Sequence, residues 1–306
     1  MIVPSLKDLY NSLPAGHYAV GAFNVHNMEY VQAVIKAAEA ENAPVILMIG
    51  EAMIPFAGLD MLATICLFAA EQTPVPVAVA LDHGHSFANL ERCVELGISI
   101  MFDGSHLPLE ENIRLTRKFA RMAHAAGVSI EGELGSVGGA EDGEAGKEVN
   151  LTDPRTAARF VEETGVDALA VAIGNCHGFY SGTPSLDLVR LERIRELVHI
   201  PLVLHGGSDL PEALSREAIA RGIRKFNVGT DLKYAFSSTL KRLLTQEPMP
   251  YQPPALLGPA RDAVTEVVRH KIRLFGSTGL AGQFHGPLAP AEGAVPSRTV
   301  GRPRKS

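Results

Sequence analysis

The stretch VPVAVALDHGHSFANLERCVELGISIMFDGSH, residues 75–106, decides the fold. An apolar, β-branched run at Val75 to Leu81 ends abruptly in Asp82-His83-Gly84-His85. An amphipathic stretch with Leu90, Cys93 and Val94 on one helical face follows, then a second apolar run at Ile98 to Phe102 and a second polar tip, Asp103-Gly104-Ser105-His106. Strand, helix, strand is a βα repeat. Runs that are apolar throughout, rather than alternating, belong to parallel strands buried on both faces.

Read outward in both directions, the pattern recurs. Apolar runs stand at Tyr18 to Val25, Pro44 to Ile49, Val128 to Leu134, Ala168 to Ile173, Pro201 to Leu204 and Lys225 to Val228, making eight in all, with helical patterns after nearly every one. Met28 to Glu41 is amphipathic with Asn27 as its cap, and Pro108 to Ala126 carries Glu early and Arg or Lys late. Eight parallel strands close a barrel, so the expected fold is a (β/α)8 TIM barrel. It spans 1–278 as one domain. Two segments read as irregular: Gly135 to Asn150, with five glycines and four acidic residues, as a mobile loop, and Gly279 to Ser306 as a disordered tail.

Composition narrows the function classes. The chain has 306 residues, 46% of them hydrophobic and 20% charged, which permits a substantial core. A formal charge of −6, with only the final GRPRKS basic, argues against nucleic-acid and anionic-membrane partners. Cys66, Cys93 and Cys176 are too few and too scattered for a disulfide framework. No secretory leader or long apolar span is evident. A cytoplasmic setting is expected.

In a barrel of this kind, function gathers where strands end, on the C-terminal face. Three histidines that follow separate strands, His83, His177 and His205, are able to converge on one divalent ion, the donor set of a catalytic zinc site with an open position. Taken singly, each histidine is better read as structural; it is their shared placement that counts. Asp103 and Glu133 are positioned either to hold a second cation or to orient the histidines. Asp82, next to a proposed ligand, is cast as the general acid/base, with helix capping as its alternative. Glycine-rich turns after the last three strands, at Gly206, Gly207, Ser208, Asn227, Gly229 and Thr230, read as a phosphate site or as plain turns.

Together these residues resemble the class II, metal-dependent ketose-bisphosphate aldolases, nearest the tagatose-1,6-bisphosphate and short fructose-1,6-bisphosphate branch. The likeness runs through GAFNVHN at Gly21 to Asn27, LDHG at Leu81 to Gly84, DGSHLPLEENI at Asp103 to Ile113 and EGELGSVGGAED at Glu131 to Asp142. It continues through Thr164 to Asp187, IPLVLHGGSDLP at Ile200 to Pro211, KFNVGTDLKYAF at Lys225 to Phe236 and Glu266 to Ser277. The resemblance implies zinc on His83, His177 and His205, and Asp82 acting at the C4 oxygen. It also implies that Glu141 handles the proton at the glycerone carbon, that Asp103 and Glu133 lie at a second, looser cation site, and that a monovalent cation assists at the phosphate pocket. Gly178, Gly206 to Ser208 and Asn227, Val228, Gly229 and Thr230 match the glycerone-phosphate pocket. The implied products are glycerone phosphate and glyceraldehyde 3-phosphate, and the implied assembly is a homodimer or homotetramer.

The chain departs from its relatives in four places. Ser181 stands where many fructose-type members have Lys, Gly50 where Ser or Thr is usual, and the loop after Glu141 is short. Leu257 to Asp262 resembles the fructose type, and Arg261 is a candidate for the far phosphate, in this or a neighbouring subunit. Two other classes compete: a non-catalytic phosphosugar-binding or partner subunit on the same barrel, and a barrel metallohydrolase.

Overall fold

The structure, a computed structural model, describes residues 3–139, 150–180 and 182–286. Eight strands form a parallel barrel: β1 (Val20–Asn24), β2 (Val45–Gly50), β3 (Val77–Asp82), β4 (Ile100–Phe102), β5 (Ile130–Leu134), β7 (Ala168–Val171), β9 (Leu202–Leu204) and β10 (Ile223–Val228). Two further pieces of two residues each, β6 (Gly138–Gly139) and β8 (Cys176–His177), pair with one another above the rim. The sheet runs β3-β2-β1-β10-β9-β7-β5-β4. Parallel bridges Ala80 to Ser99 and Gly84 to Phe102 join its two outer strands and close the cylinder.

Both faces of every barrel strand are covered, which is why the runs are apolar without alternation. The faces differ all the same. Ala19, Phe23, Val45, Leu47, Val77 and Val79 point out into the helical layer, while Val20, Ala22, Ile46, Met48, Ala78 and Ala80 point in. On the opposite wall Met101, Ala168, Ala170 and Val203 also point in. Strand periodicity of two then fixes what comes next on the inward side. Following each series upward leads to Asn24, Asp82, Asp103, Glu133, His205 and Asn227, all buried.

The helices arise from ordinary signals. In α2 (Met28–Glu41) the Asn27 side chain accepts from the Tyr30 amide, the expected cap. The helix expected at Pro108 to Ala126 runs over Leu109–Ala125, with Pro108 at its cap position. At the floor of the barrel α1 (Leu6–Asn11) lies across the strand starts, with the Leu6 and Lys7 amides donating to Ser99 Oγ at 3.2 Å and Ser129 Oγ at 2.9 Å. A 3-10 turn at Leu280–Gln283 joins it: Leu280 and Phe284 are buried beside Leu6, Leu9 and Leu13. The irregular segment that begins at Gly279 is thus packed through residue 286, eight residues past the expected domain end; residues 287–306 lie outside the described residues. No single helix among the described residues is long and apolar enough to cross a membrane.

Candidate active site

His83, His177 and His205 meet at the C-terminal mouth of the barrel, with ligand nitrogens within 4.8 Å of one another. Three different elements deliver them. His205 follows β9 on its inward face. His83 follows Asp82 in a left-handed conformation, φ +50°, that turns its ring back over the barrel axis. His177 comes from β8, held over the mouth by its pairing with β6. A glycine is required below it: Gly206 has φ +67°, and a Cβ there would collide with the Cys176 carbonyl oxygen.

The outer nitrogens of two rings are already committed. His83 Nδ1 lies 3.0 Å from Asp103 Oδ2, and His205 Nε2 lies 3.0 Å from Glu131 Oε1. A carboxylate only accepts, so each outer nitrogen carries a ring proton, and in a neutral imidazole that proton is the only one. The remaining nitrogens, His83 Nε2 and His205 Nδ1, then face each other at 2.9 Å as two lone pairs. Two acceptors at that distance repel unless a positive charge lies between or beside them. Burial drives the His205 imidazole below its ordinary pKa, against the opposing pull of Glu131, so a proton is poorly suited to the task. The donor set therefore fits a divalent cation held by nitrogen.

Asp82 caps no helix; that role at the following helix, Phe87–Glu95, belongs to Ser86. Its two oxygens instead accept from Asn24 Nδ2 at 2.7 Å and Asn227 Nδ2 at 3.1 Å, fixing a 3% exposed carboxylate beside the histidines. Asp103 is fully buried and turns its carboxylate to His83, with Glu133 Oε2 at 3.7 Å from the same nitrogen. His83, Asp103 and Glu133 also form a second set of donors close enough for an ion. Glu51 braces the loop that carries Asp82 to His85, accepting from the His85 and Ser86 amides at 2.6 and 3.1 Å.

Beside the trio lie the turns after β9 and β10. The Gly207 amide donates to the Asn227 carbonyl at 2.8 Å, and the Asp231 amide to Ser208 Oγ at 3.1 Å, tying the two turns together. Lys271 locks them from behind, reaching the Gly207 carbonyl at 3.0 Å and Asp231 Oδ2 at 2.7 Å. Helix α10 (Thr230–Leu244) starts here, directly after Val228 and Gly229, so its positive end faces the mouth. Gly178, φ +84°, turns the chain just after His177.

The profile of the family described as fructose-bisphosphate aldolase class-II matches residues 4–280. The chain belongs to that family. A fructose-bisphosphate aldolase from Geobacillus stearothermophilus is 43% identical over 289 residues, covering 92% of this chain and all of that one. Among solved structures, the YdjI aldolase of Escherichia coli K12 is 37% identical with a TM-score of 0.77, covering 87% of this chain and 94% of its own. A Coccidioides immitis protein solved as a candidate fructose-1,6-bisphosphate aldolase is 30% identical with a TM-score of 0.80, over 90% and 95% of the two chains. Membership makes this chain a lyase of the class II aldolase type, in a family that is generally metal-dependent.

Some expected residues stand apart from this cluster or lie outside the described residues. Arg261 is held in the helical layer, with Nη1 3.3 Å from Gln32 Oε1 and Nη2 3.4 Å from Asp262 Oδ1. Glu141 and Ser181 lie outside the described residues. Gly50 ends β2 opposite Asp82 in register, near the mouth as expected. Three residues of the interior were given no role by sequence reasoning: Asn24, Glu131 and Lys225. The signal for them was parity, since Glu131 and Glu133 share one face of a strand, as do Lys225 and Asn227.

Proposed function

We propose that the chain cleaves a ketose 1,6-bisphosphate, of the tagatose or fructose type, reversibly into glycerone phosphate and glyceraldehyde 3-phosphate. One observation carries the reading: the inner nitrogens of two imidazoles, His83 Nε2 and His205 Nδ1, face each other at 2.9 Å beside a doubly anchored Asp82. His83, His177 and His205 would hold zinc, which when bound supplies a Lewis acid that polarises the substrate ketone and stabilises the charge released as the C3–C4 bond breaks. Asp82 takes the proton from the C4 hydroxyl in cleavage and returns it in the reverse reaction; the Asn24 and Asn227 amides hold it oriented while it does so. Asn227 also lies 3.3 Å from the His205 ring, so a single amide aligns base and ligand.

The turns at Gly206 to Ser208 and at Val228 to Thr230, together with the N-terminus of α10, receive the glycerone phosphate. Asp103 orients His83 through Nδ1 and, with Glu133, provides the looser cation site. Glu141 is assigned the proton at the glycerone carbon, and Arg261 the far phosphate of an adjoining subunit. Assembly as a homodimer or homotetramer, in the cytoplasm, completes the proposal; Phe56, Met61 and Phe68 on the helical layer, 79%, 66% and 64% exposed, offer apolar surface for it.

The test is a coupled cleavage assay over fructose, tagatose and related bisphosphates, with metal content measured on the same sample. Turnover that vanishes on chelation and returns with zinc supports the reading. Full cleavage after exhaustive metal removal overturns it.

A further inference from the structure

The barrel interior beneath the histidines holds an ion pair that the reaction above does not use. Glu131 and Lys225 point inward from β5 and β10, 0% and 2% exposed, with Lys225 Nζ 2.7 Å from Glu131 Oε2. Removing two charges from water carries a large desolvation penalty, and well-packed apolar side chains of similar volume often stabilise a fold as well or better. Packing alone does not explain the pair. Its surroundings are otherwise apolar: Met101, Ala168, Ala170 and Val203 line the same interior, with Tyr10 of α1 against them from below.

The second contact of Glu131 supplies the reason. Its other oxygen, Oε1, lies 3.0 Å from His205 Nε2, which fixes the proton of that ring on Nε2 and leaves the Nδ1 lone pair turned to the trio. Without an acceptor at that position the ring proton is free to occupy Nδ1, and the nitrogen facing the other histidines is lost as a donor.

We propose that Glu131 is a positioning residue for the metal, holding His205 in the tautomer that offers Nδ1 to the cation, with Lys225 as the counter-charge that allows a carboxylate at this depth. The inference rests on the metal role assigned above to the three histidines and goes further by giving a function to two residues that touch neither metal nor substrate.

The experiment compares zinc affinity, by chelator competition, with the thermal stability of the metal-free protein. Three forms are needed: the unaltered chain, the apolar double variant Glu131→Met with Lys225→Met, and the uncharged double variant Glu131→Gln with Lys225→Met. The apolar variant is expected to keep a melting temperature near that of the parent while its zinc affinity falls about 10- to 100-fold, with a changed visible spectrum when Co2+ replaces zinc. The Gln variant, which keeps an acceptor for Nε2–H, recovers part of that affinity. Parental affinity and an unchanged Co2+ spectrum in the apolar variant overturn the proposal. If that variant does not fold, 15N NMR of His205 in the metal-free parent decides: a ring proton on Nε2 supports the proposal, and one on Nδ1 overturns it. Failure of the underlying metal reading looks different: the unaltered chain itself then binds no zinc, or keeps it after His205→Ala.

Discussion

Asp82 accepts hydrogen bonds from two buried amides and stands beside three imidazoles. Asn in its place keeps the shape and removes the proton acceptor, so Asp82→Asn is expected to lower kcat by about 10²- to 10⁴-fold with zinc content unchanged. Metal analysis alongside steady-state kinetics checks this; loss of zinc together with activity would assign Asp82 to the ligand set instead. His205→Ala, by contrast, is expected to lose zinc and activity together, because two remaining imidazoles hold the ion poorly against water. Retained stoichiometry in that variant contradicts the ligand set. At this scale the sequence was most legible where a polar residue interrupts an apolar run at its end: His83, Asp82, Asp103 and His205 all sit at such breaks. It was least legible inside the runs. Glu131 and Lys225 looked like members of strands because one polar residue does not disturb the local pattern, and only the inward parity they share with Glu133 and Asn227 sets them apart.

Among elements, the contact between α2 and α11 (Pro253–Leu274) is tied at one end by a single acid. Glu41, 6% exposed at the end of α2, receives Arg269 Nε at 2.9 Å, Arg273 Nε at 3.0 Å and Arg273 Nη2 at 2.7 Å. The Arg273 hydrogen bonds foremost, against the opposing effect of burial, hold its carboxyl below the ordinary value. A depressed folded pKa stabilises the fold above the unfolded value, about 4.3, and that stabilisation fades as pH drops through the folded value. Glu41→Gln is therefore expected to cost about 1–3 kcal/mol at pH 7, and the gap to the parent to narrow as pH falls below about 4.3. Urea titrations at both pH values measure it; a gap independent of pH would mean that packing, not charge, is what the substitution removes. The strands and the helices Met28–Glu41 and Leu109–Ala125 were readable because period and cap agreed. The turn at Leu280–Gln283 was not. Gly and Pro around it signal irregular chain, and nothing local reveals that Leu280 and Phe284 find a covered place under the barrel.

For the molecule as a whole, ligand linkage ties the mouth of the barrel to global stability. Zinc at about one hundred times its dissociation constant is expected to add about 2.7 kcal/mol to the unfolding free energy of the metal-free parent and nothing to that of His205→Ala. Calorimetry with and without zinc reads the difference directly. At the opposite end, Phe284 is 7% exposed against α1, and Phe284→Ala is expected to cost about 3–5 kcal/mol without touching the site, measured by denaturant midpoint against kcat. The closing of that end brings distant parts of the sequence together: the His285 amide donates to the Ser12 carbonyl at 3.0 Å, and Leu280 and Phe284 share a cluster with Leu6 and Leu9. Start and finish of the folded cylinder are thus neighbours in space. A short peptide joining them, with new ends cut into an exposed loop on the helical layer, would yield a circularly permuted enzyme with every strand pairing of the parent.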